Sequence, residues 1–253
     1  MNQDSLLRSG AAQAADAGPV IELSEVALGW RDRVALRDVS GVFRRGSCTA
    51  VVGPNGAGKS TLIKGLMGLV SPLRGQIRMA RDVRANLGYL PQLGEMDRSF
   101  PLSTYDLVAM GAWRRTGSWR AFDASEHEKV HQALRAVGLE DFGPRIIGTL
   151  SGGQLQRALF ARLMMHDASI LLLDEPFAAV DRDTTEDLLA LLRDWHAQGR
   201  TVIAVLHDLD MVRAHFPDAV LLAGQVVSWG PTESVLTPDN LHLARHLCAG
   251  DYL

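Results

Sequence analysis

Nine residues, GPNGAGKST from Gly53 to Thr61, limit what this chain can fold into more than any other stretch. A backbone that curls so that successive N–H groups point inward needs positions without a Cβ. Gly53, Gly56 and Gly58 supply them, with Pro54, Asn55 and Ala57 between. The run before the loop, SCTAVVG (Ser47 to Gly53), is almost wholly apolar, the pattern of a strand buried on both faces. After Lys59, the residues Leu62, Ile63, Leu66, Met67 and Leu69 fall at helical spacing, and Pro72 blocks continuation past Val70. Strand, glycine loop and helix in that order present a phosphate group with a cradle of amides and the positive end of a helix. Lys59 adds a cation for β- and γ-phosphates, Ser60 a hydroxyl for Mg2+, and Thr61 completes the motif.

A second stretch, ILLLDEP (Ile170 to Pro176), reads as a buried strand ending in two adjacent carboxylates. Two negative charges at a strand end are expensive to desolvate unless a cation or hydrogen bonds compensate. Asp174 is the natural metal-side acid, which leaves Glu175 to orient and activate a water for in-line attack on a γ-phosphate. A third stretch, LSGGQ (Leu150 to Gln154), has Ser151 and Gln154 at capping-box spacing, so a helix starts there. A cap does not require Gly152 and Gly153, each of which lowers helix propensity by about 1 kcal/mol. They make sense where an anionic group approaches the backbone closely. The chain thus carries two cradles, which one bound nucleotide does not require.

The 253 residues suffice for one large α/β domain, or one with a subdomain. Although 47% of residues are hydrophobic, apolar runs such as ILLL (170–173) and VIAVL (202–206) fall far below the roughly 18 residues a membrane span needs. That excludes a pore made from its own helices. With 26 basic against 29 acidic residues, the net charge of −3 supplies no global attraction for nucleic acid. Two cysteines, Cys48 and Cys248, form no disulfide framework and fit a reducing compartment. Residues 1–18 contain Asp4 and Asp16 and no apolar core of signal-peptide length, so they read as a disordered leader.

Val20 to Val26 reads as a short strand at a sheet edge. From Pro91 to about Gly148 the character changes: Ser103 with Asp106, and Asp123 with Glu126, open helices, and Gly138 ends the second. This predicts a helical insertion subdomain at about 92–148 within a domain covering 19–253. The α/β alternation then resumes, with a helix from Ser151, a strand at 169–174, a helix at 184–198, a strand at 201–206 and a helix at 209–216. A hairpin at 220–229 and a helix at 237–247 complete the chain. The alternation implies a parallel sheet covered on both faces.

The phosphate loop, LSGGQ and LLLDEP, in this order, resemble the nucleotide-binding subunit of ABC (ATP-binding cassette) transporters, and the resemblance runs from about Val20 to at least Trp229. It implies an α/β fold: a P-loop NTPase (RecA-like) core with an antiparallel β subdomain and a helical insertion subdomain. It also implies ATP and Mg2+ as ligands, ATP hydrolysis as the activity, and a peripheral position on the cytoplasmic face of a bacterial membrane. In that family the signature LSGGQ contacts the γ-phosphate of ATP held by the other subunit, so a head-to-tail homodimer with two composite sites accounts for the second cradle. Residue by residue, the resemblance carries over Ser151, Gly152, Gly153 and Gln154 as the signature. Gln92 in YLPQ becomes the Q-loop residue that senses Mg2+ and γ-phosphate, His207 the switch histidine, and Asp181 in AAVD the D-loop residue at the dimer interface. Ser60, Gln92 and Asp174 form the metal side. Trp30 falls where an aromatic stacks on adenine, with core packing as the alternative.

The segments EMDRSFPLSTYDLVAMG (Glu95 to Gly111), EPFAAVD and GPTESVLTPDNL (Gly230 to Leu241) resemble the ATPases of bacterial zinc and manganese uptake systems, with zinc favoured over manganese. An integral membrane permease and, indirectly, a periplasmic or surface metal-binding protein are then the implied partners. Iron-chelate and heme importers share part of the pattern, and an exporter remains open. A soluble ABC ATPase clamping nucleic acid is disfavoured, because the chain has neither a long coiled-coil insertion nor a second cassette. The histidine pairs His127 with His131 and His242 with His246, the latter near Cys248, have a spacing that can clamp zinc. No third or fourth ligand accompanies either pair, so both read as solvated helix surface.

Overall fold

In the computed structural model, which describes residues 18–30, 33–84, 86–117 and 122–250, the chain opens with an antiparallel pair. β1 (Pro19–Trp30) pairs with β2 (Arg33–Arg44). β3 (Cys48–Val52) and helix α1 (Lys59–Met67) follow, and β4 (Arg74–Met79) returns to the other side of β1. The strand expected at a sheet edge is therefore the middle strand of three, and it is longer than its apolar alternation suggested. Its alternation is imperfect because the register against both neighbours is broken by bulges. The leader expected at 1–18 lies outside the described residues except for Gly18.

After β5 (Leu87–Leu90), the buried strands β6 (Ile170–Asp174) and β7 (Thr201–Val205) join β3, and β8 (Asp218–Leu222) flanks β3 on its other side. These four run parallel in the order β6, β7, β3, β8, and β9 (Val226–Pro231) closes antiparallel on β8. Every residue of β3, β6 and β7 is buried, as their near-continuous apolar sequences require. All but β5, of which only Leu87 is included, belong to one of two compact units, Met1–Leu87 with Ser169–Asp174 and Trp195–Leu253. Close packing in this unit depends on glycine: a Cβ at Gly65 of α1 would lie 2.5 Å from the Leu28 side chain on β1. The Trp229 indole of β9 rests on Gly41 and lies 4.7 Å, centroid to centroid, from Phe43 on β2.

The second unit comprises Gly88–Ala168 with Glu175–Asp194 and takes in the whole region expected as a helical insertion. Its helices are α2 (Thr104–Ala109), α3 (Ala124–Ala136), α4 (Gly152–His166) and the greater part of α5 (Arg182–Ala197). The capping residues act as expected: Ser103 accepts from the Asp106 amide, Asp123 from Glu126, and Ser151 with Gln154 forms a complete capping box. Helix α1 departs from expectation by ending at Met67, where Gly68 takes a left-handed φ of 79° and stops the helix before Pro72 can. Helices α6 (Leu209–His215) and α7 (Pro238–Gly250) complete the first unit. Among the described residues no helix is long and apolar enough to cross a membrane.

Cys48 opens β3 in full burial, which, with the nearby Asp218 carboxylate, pushes its thiol up to about 12. At pH 8 roughly one such group in ten thousand is thiolate. A colorimetric thiol titration of the native protein is expected to count at most one fast cysteine, and both after denaturation. Two fast native thiols would contradict the burial of β3.

Candidate nucleotide site

The phosphate loop leaves the C-terminal end of β3 and its shape is enforced by neighbours. A Cβ on Gly53 would sit 2.1 Å from the Leu222 carbonyl oxygen, and one on Gly58 2.6 Å from the Leu36 side chain. Gly56 and Gly58 adopt φ of 81° and 90°, values that L side chains resist. Ala57 is buried and its amide donates to Pro54 O at 3.2 Å, while Asn55 and Gly56 stay exposed at the loop's crest. Lys59 is 6% exposed, and its ammonium donates to Gly53 O at 2.8 Å and Pro54 O at 2.9 Å. The cation is thereby held across the mouth of its own loop. Helix α1 begins with no side-chain cap and no acid in its first turn, so Lys59, Ser60 and Thr61 start a helix whose positive end suits an anion.

Asp174 ends β6 with 0% exposure, and its Oδ1 accepts from Ser60 Oγ at 3.2 Å. A carboxylate taken wholly out of water is costly unless countered by donors or a cation. A hydroxyl and a carboxylate converging from two elements are hard oxygen donors, the set Mg2+ prefers. In the same unit, Trp30 ends β1 at 55% exposure, which removes core packing as the explanation for it. His207 follows the last buried residue beyond β7, Leu206, and is exposed. Next to it Asp208 caps α6 by accepting from the Asp210 and Met211 amides.

In the second unit, Gln92 Nε2 donates to Glu175 Oε2 at 2.9 Å, joining two residues 83 positions apart. Glu175 has φ of 53° and Ala179 φ of 61°, both left-handed without being glycine. The turn between them is closed by the Ala178 amide donating to Glu175 O at 3.1 Å. Gly152 and Gly153 meet this turn: their Cβ atoms would lie 3.0 Å from Ala179 Cβ and 3.4 Å from Ala179 O, respectively. The chain itself therefore supplies one close approach that the signature glycines allow, in place of the ligand alone expected from sequence. Gln154 Oε1 accepts from the Ser151 amide at 2.9 Å. Asp181 is exposed, and the Thr184 amide and hydroxyl, donating at 2.9 and 3.0 Å, hold its carboxyl below the usual range.

Two residues escaped the sequence reading. Arg98 donates from its guanidinium to the carbonyl oxygen of Leu150, the first residue of LSGGQ, and a Cβ on Gly148 would press 2.7 Å from Arg98 O. Gln156, with 0% exposure, donates from Nε2 to Pro176 O at 2.6 Å. A glutamine among the apolar positions of α4 was the available signal for the second, while nothing in sequence marks the first. The histidine pairs have local partners: His127 Nδ1 meets the Tyr105 hydroxyl, His131 lies 5.6 Å from the Tyr105 ring, and His246 Nε2 lies 2.9 Å from His242 Nε2. Among the described residues no group of three or more His, Cys, Asp or Glu side chains could hold a metal ion.

The sequence model of the ABC transporter family matches residues 36–178. The manganese transport system ATP-binding protein MntB of Bacillus subtilis (strain 168) is 39% identical over 225 residues, which cover 87% of this chain and 90% of that protein. The manganese transport system ATP-binding protein MntA of Synechocystis sp. (strain ATCC 27184 / PCC 6803 / Kazusa) is 36% identical over 217 residues, 83% and 84% of the two chains. Among solved structures, CbiO1 of Clostridium perfringens, part of the CbiONQ ABC transporter complex, superposes with a TM-score of 0.71 at 26% identity, covering 92% of this chain and 99% of that one. The phosphate loop, the buried aspartate and the capped glycine pair thus sit in a chain that belongs to the ABC transporter family, as one of its ATP-binding ATPases.

Proposed function

We propose that this chain is the ATP-hydrolysing subunit of a bacterial importer for a divalent metal ion. The observation that carries the reading is the 39% identity to MntB over nearly the full length of both proteins. The sequence segments lean toward zinc, whereas the named relatives are manganese systems, so manganese is the first cargo to test. Residues 19–253 form the proposed ATP-binding domain, with the helical subdomain at about 92–148.

In the proposed reaction, the amides of residues 55–61 surround the phosphates, and Trp30 stacks on the adenine. Lys59 exchanges the Gly53 and Pro54 carbonyls, which it now meets at 2.8 and 2.9 Å, for β- and γ-phosphate oxygens. Ser60 and Asp174, with Gln92, would hold Mg2+, whose charge offsets that of the phosphates when bound. Glu175 orients a water and takes its proton as the water oxygen attacks γ-phosphorus in line and the bond to ADP breaks. The Gln92 amide keeps that carboxylate in place, and His207 contacts the γ-phosphate. Ser151 to Gln154, and Asp181, act across a head-to-tail homodimer, so each chain completes its twin's site. The dimer drives an integral membrane permease from the cytoplasmic face, as a peripheral subunit, and the permease receives metal from a periplasmic or surface binding protein. Closure on ATP and reopening after hydrolysis do the mechanical work.

Vesicles holding this chain with the permease encoded beside it are expected to take up manganese when ATP is supplied on the side of this subunit. Zinc uptake without manganese uptake would reassign the cargo, and ATP-driven movement in the opposite direction would sink the import reading. Glu175→Gln is expected to lower turnover by roughly a hundredfold or more while trapping an ATP-bound dimer, as read by phosphate release and size-exclusion chromatography. Lys59→Ala is expected to weaken ATP binding at least tenfold by equilibrium titration; unchanged affinity would remove Lys59 from the phosphates.

A further inference from the structure

Glu175 is held in a conformation it would not choose. Its φ of 53° is left-handed for a residue with a Cβ, and the proline that follows disfavours helical conformations in the residue before it. Ala179, four residues on, is left-handed as well. Such backbone persists only where surrounding structure over-determines it. The buried carbonyl of Pro176 lies inside this turn, and its donor is the side chain of Gln156, at 2.6 Å. Gln156 is fully buried on α4, and its own Oε1 has no hydrogen-bond partner among the described residues. Retaining a half-satisfied amide in an apolar setting costs stability that leucine or methionine would recover, so the donor it provides calls for an explanation.

We infer that Gln156 is a positioning residue that couples the signature to the catalytic carboxylate of the same chain. Helix α4 begins at the signature, and Gln156 lies about 7 Å along its axis from Ser151. A helix of this length moves as one body, so a displacement of Ser151 to Gly153 on engaging a phosphate carries Gln156 with it. Its amide then draws on the Pro176 carbonyl and resets the adjoining Glu175. This inference rests on the proposed roles of Glu175 and the signature. Under those roles the signature serves the twin's ATP and Glu175 serves the chain's own, so one buried amide links the two sites and makes hydrolysis cooperative.

The test uses the transporter assembled with its permease in vesicles. Gln156→Met keeps the side-chain volume and removes the donor. It is expected to lower kcat at least tenfold, to leave KM for ATP within about twofold and to bring the Hill coefficient toward one, with the melting temperature close to that of the parent. Gln156→Glu keeps the length and can donate only when protonated, a state that burial favours. Its activity relative to the parent is expected to exceed that of the Met variant and to rise as the pH falls from about 8.5 to about 6.5, a trend that altered packing would not produce. A Met variant within twofold of the parent in kcat, with cooperativity intact, overturns the inference. So does a Glu variant no faster than the Met variant at every pH. Should the Met variant fail to fold, the pH trend of the Glu variant decides alone. Glu175→Gln measured beside them separates the two readings: rapid turnover by that variant sinks the role of Glu175, whereas slow turnover with an unaffected Met variant sinks only the role of Gln156.

Discussion

A carboxyl group with no access to water ties two elements of the first unit together. Asp174 has 0% exposure at the end of β6, and the Ser60 hydroxyl of α1 donates to it at 3.2 Å. Burying a carboxylate is tolerable only where donors or a cation meet it, so the end of the sheet and the first turn of the helix are bound to a common position. The phosphate loop runs between β3 and that turn, so both of its ends are fixed. Lys59 then spans the loop mouth because its ammonium also needs acceptors away from water, and two loop carbonyls supply them. A nucleotide with its cation would offer both groups stronger partners than these.

The second unit stores a different kind of tension. Between Glu175 and Ala179 the backbone twice enters the left-handed region without glycine. What holds it is a set of side-chain amides and a close packing contact: Gln92 on the Glu175 carboxylate, Gln156 on the Pro176 carbonyl, and Gly152 against Ala179. Each contact is modest in water and stronger where solvent is excluded. Together they bring the start of α4 and the turn after the carboxylate pair into one packed body, so that neither can shift alone.

Much of this was legible from local rules. The glycine loop, the strand before it and the helix after it follow from steric freedom, uninterrupted burial and apolar spacing within 23 residues, 47–69, and the structure has all three. Side-chain caps at Ser103 and Asp123 and a full capping box at Ser151 also formed, since a cap needs only residues three apart. β2 and β4 were not legible, because their exposed faces carry arginines and their pairing with β1 depends on partners remote in sequence. For the same reason β1 was mistaken for an edge strand. Helix α1 stopped early because Gly68 could turn left-handed at once, whereas Pro72 acts only after the helix has reached it.

The sequence by itself determined the chemistry on offer: a loop able to surround phosphate, a lysine and a serine beside it, two carboxylates at a strand end and a capped pair of glycines. These depend on residue type and short spacing, which chain order specifies directly. Only the tertiary structure decided that Trp30 stands on the surface, that Gly152 answers Ala179 as well as any ligand, and that Gln92 and Gln156 restrain the turn that follows Asp174. Those contacts join residues that only packing brings together, and a directional hydrogen bond or a close approach exists only once both partners have been placed.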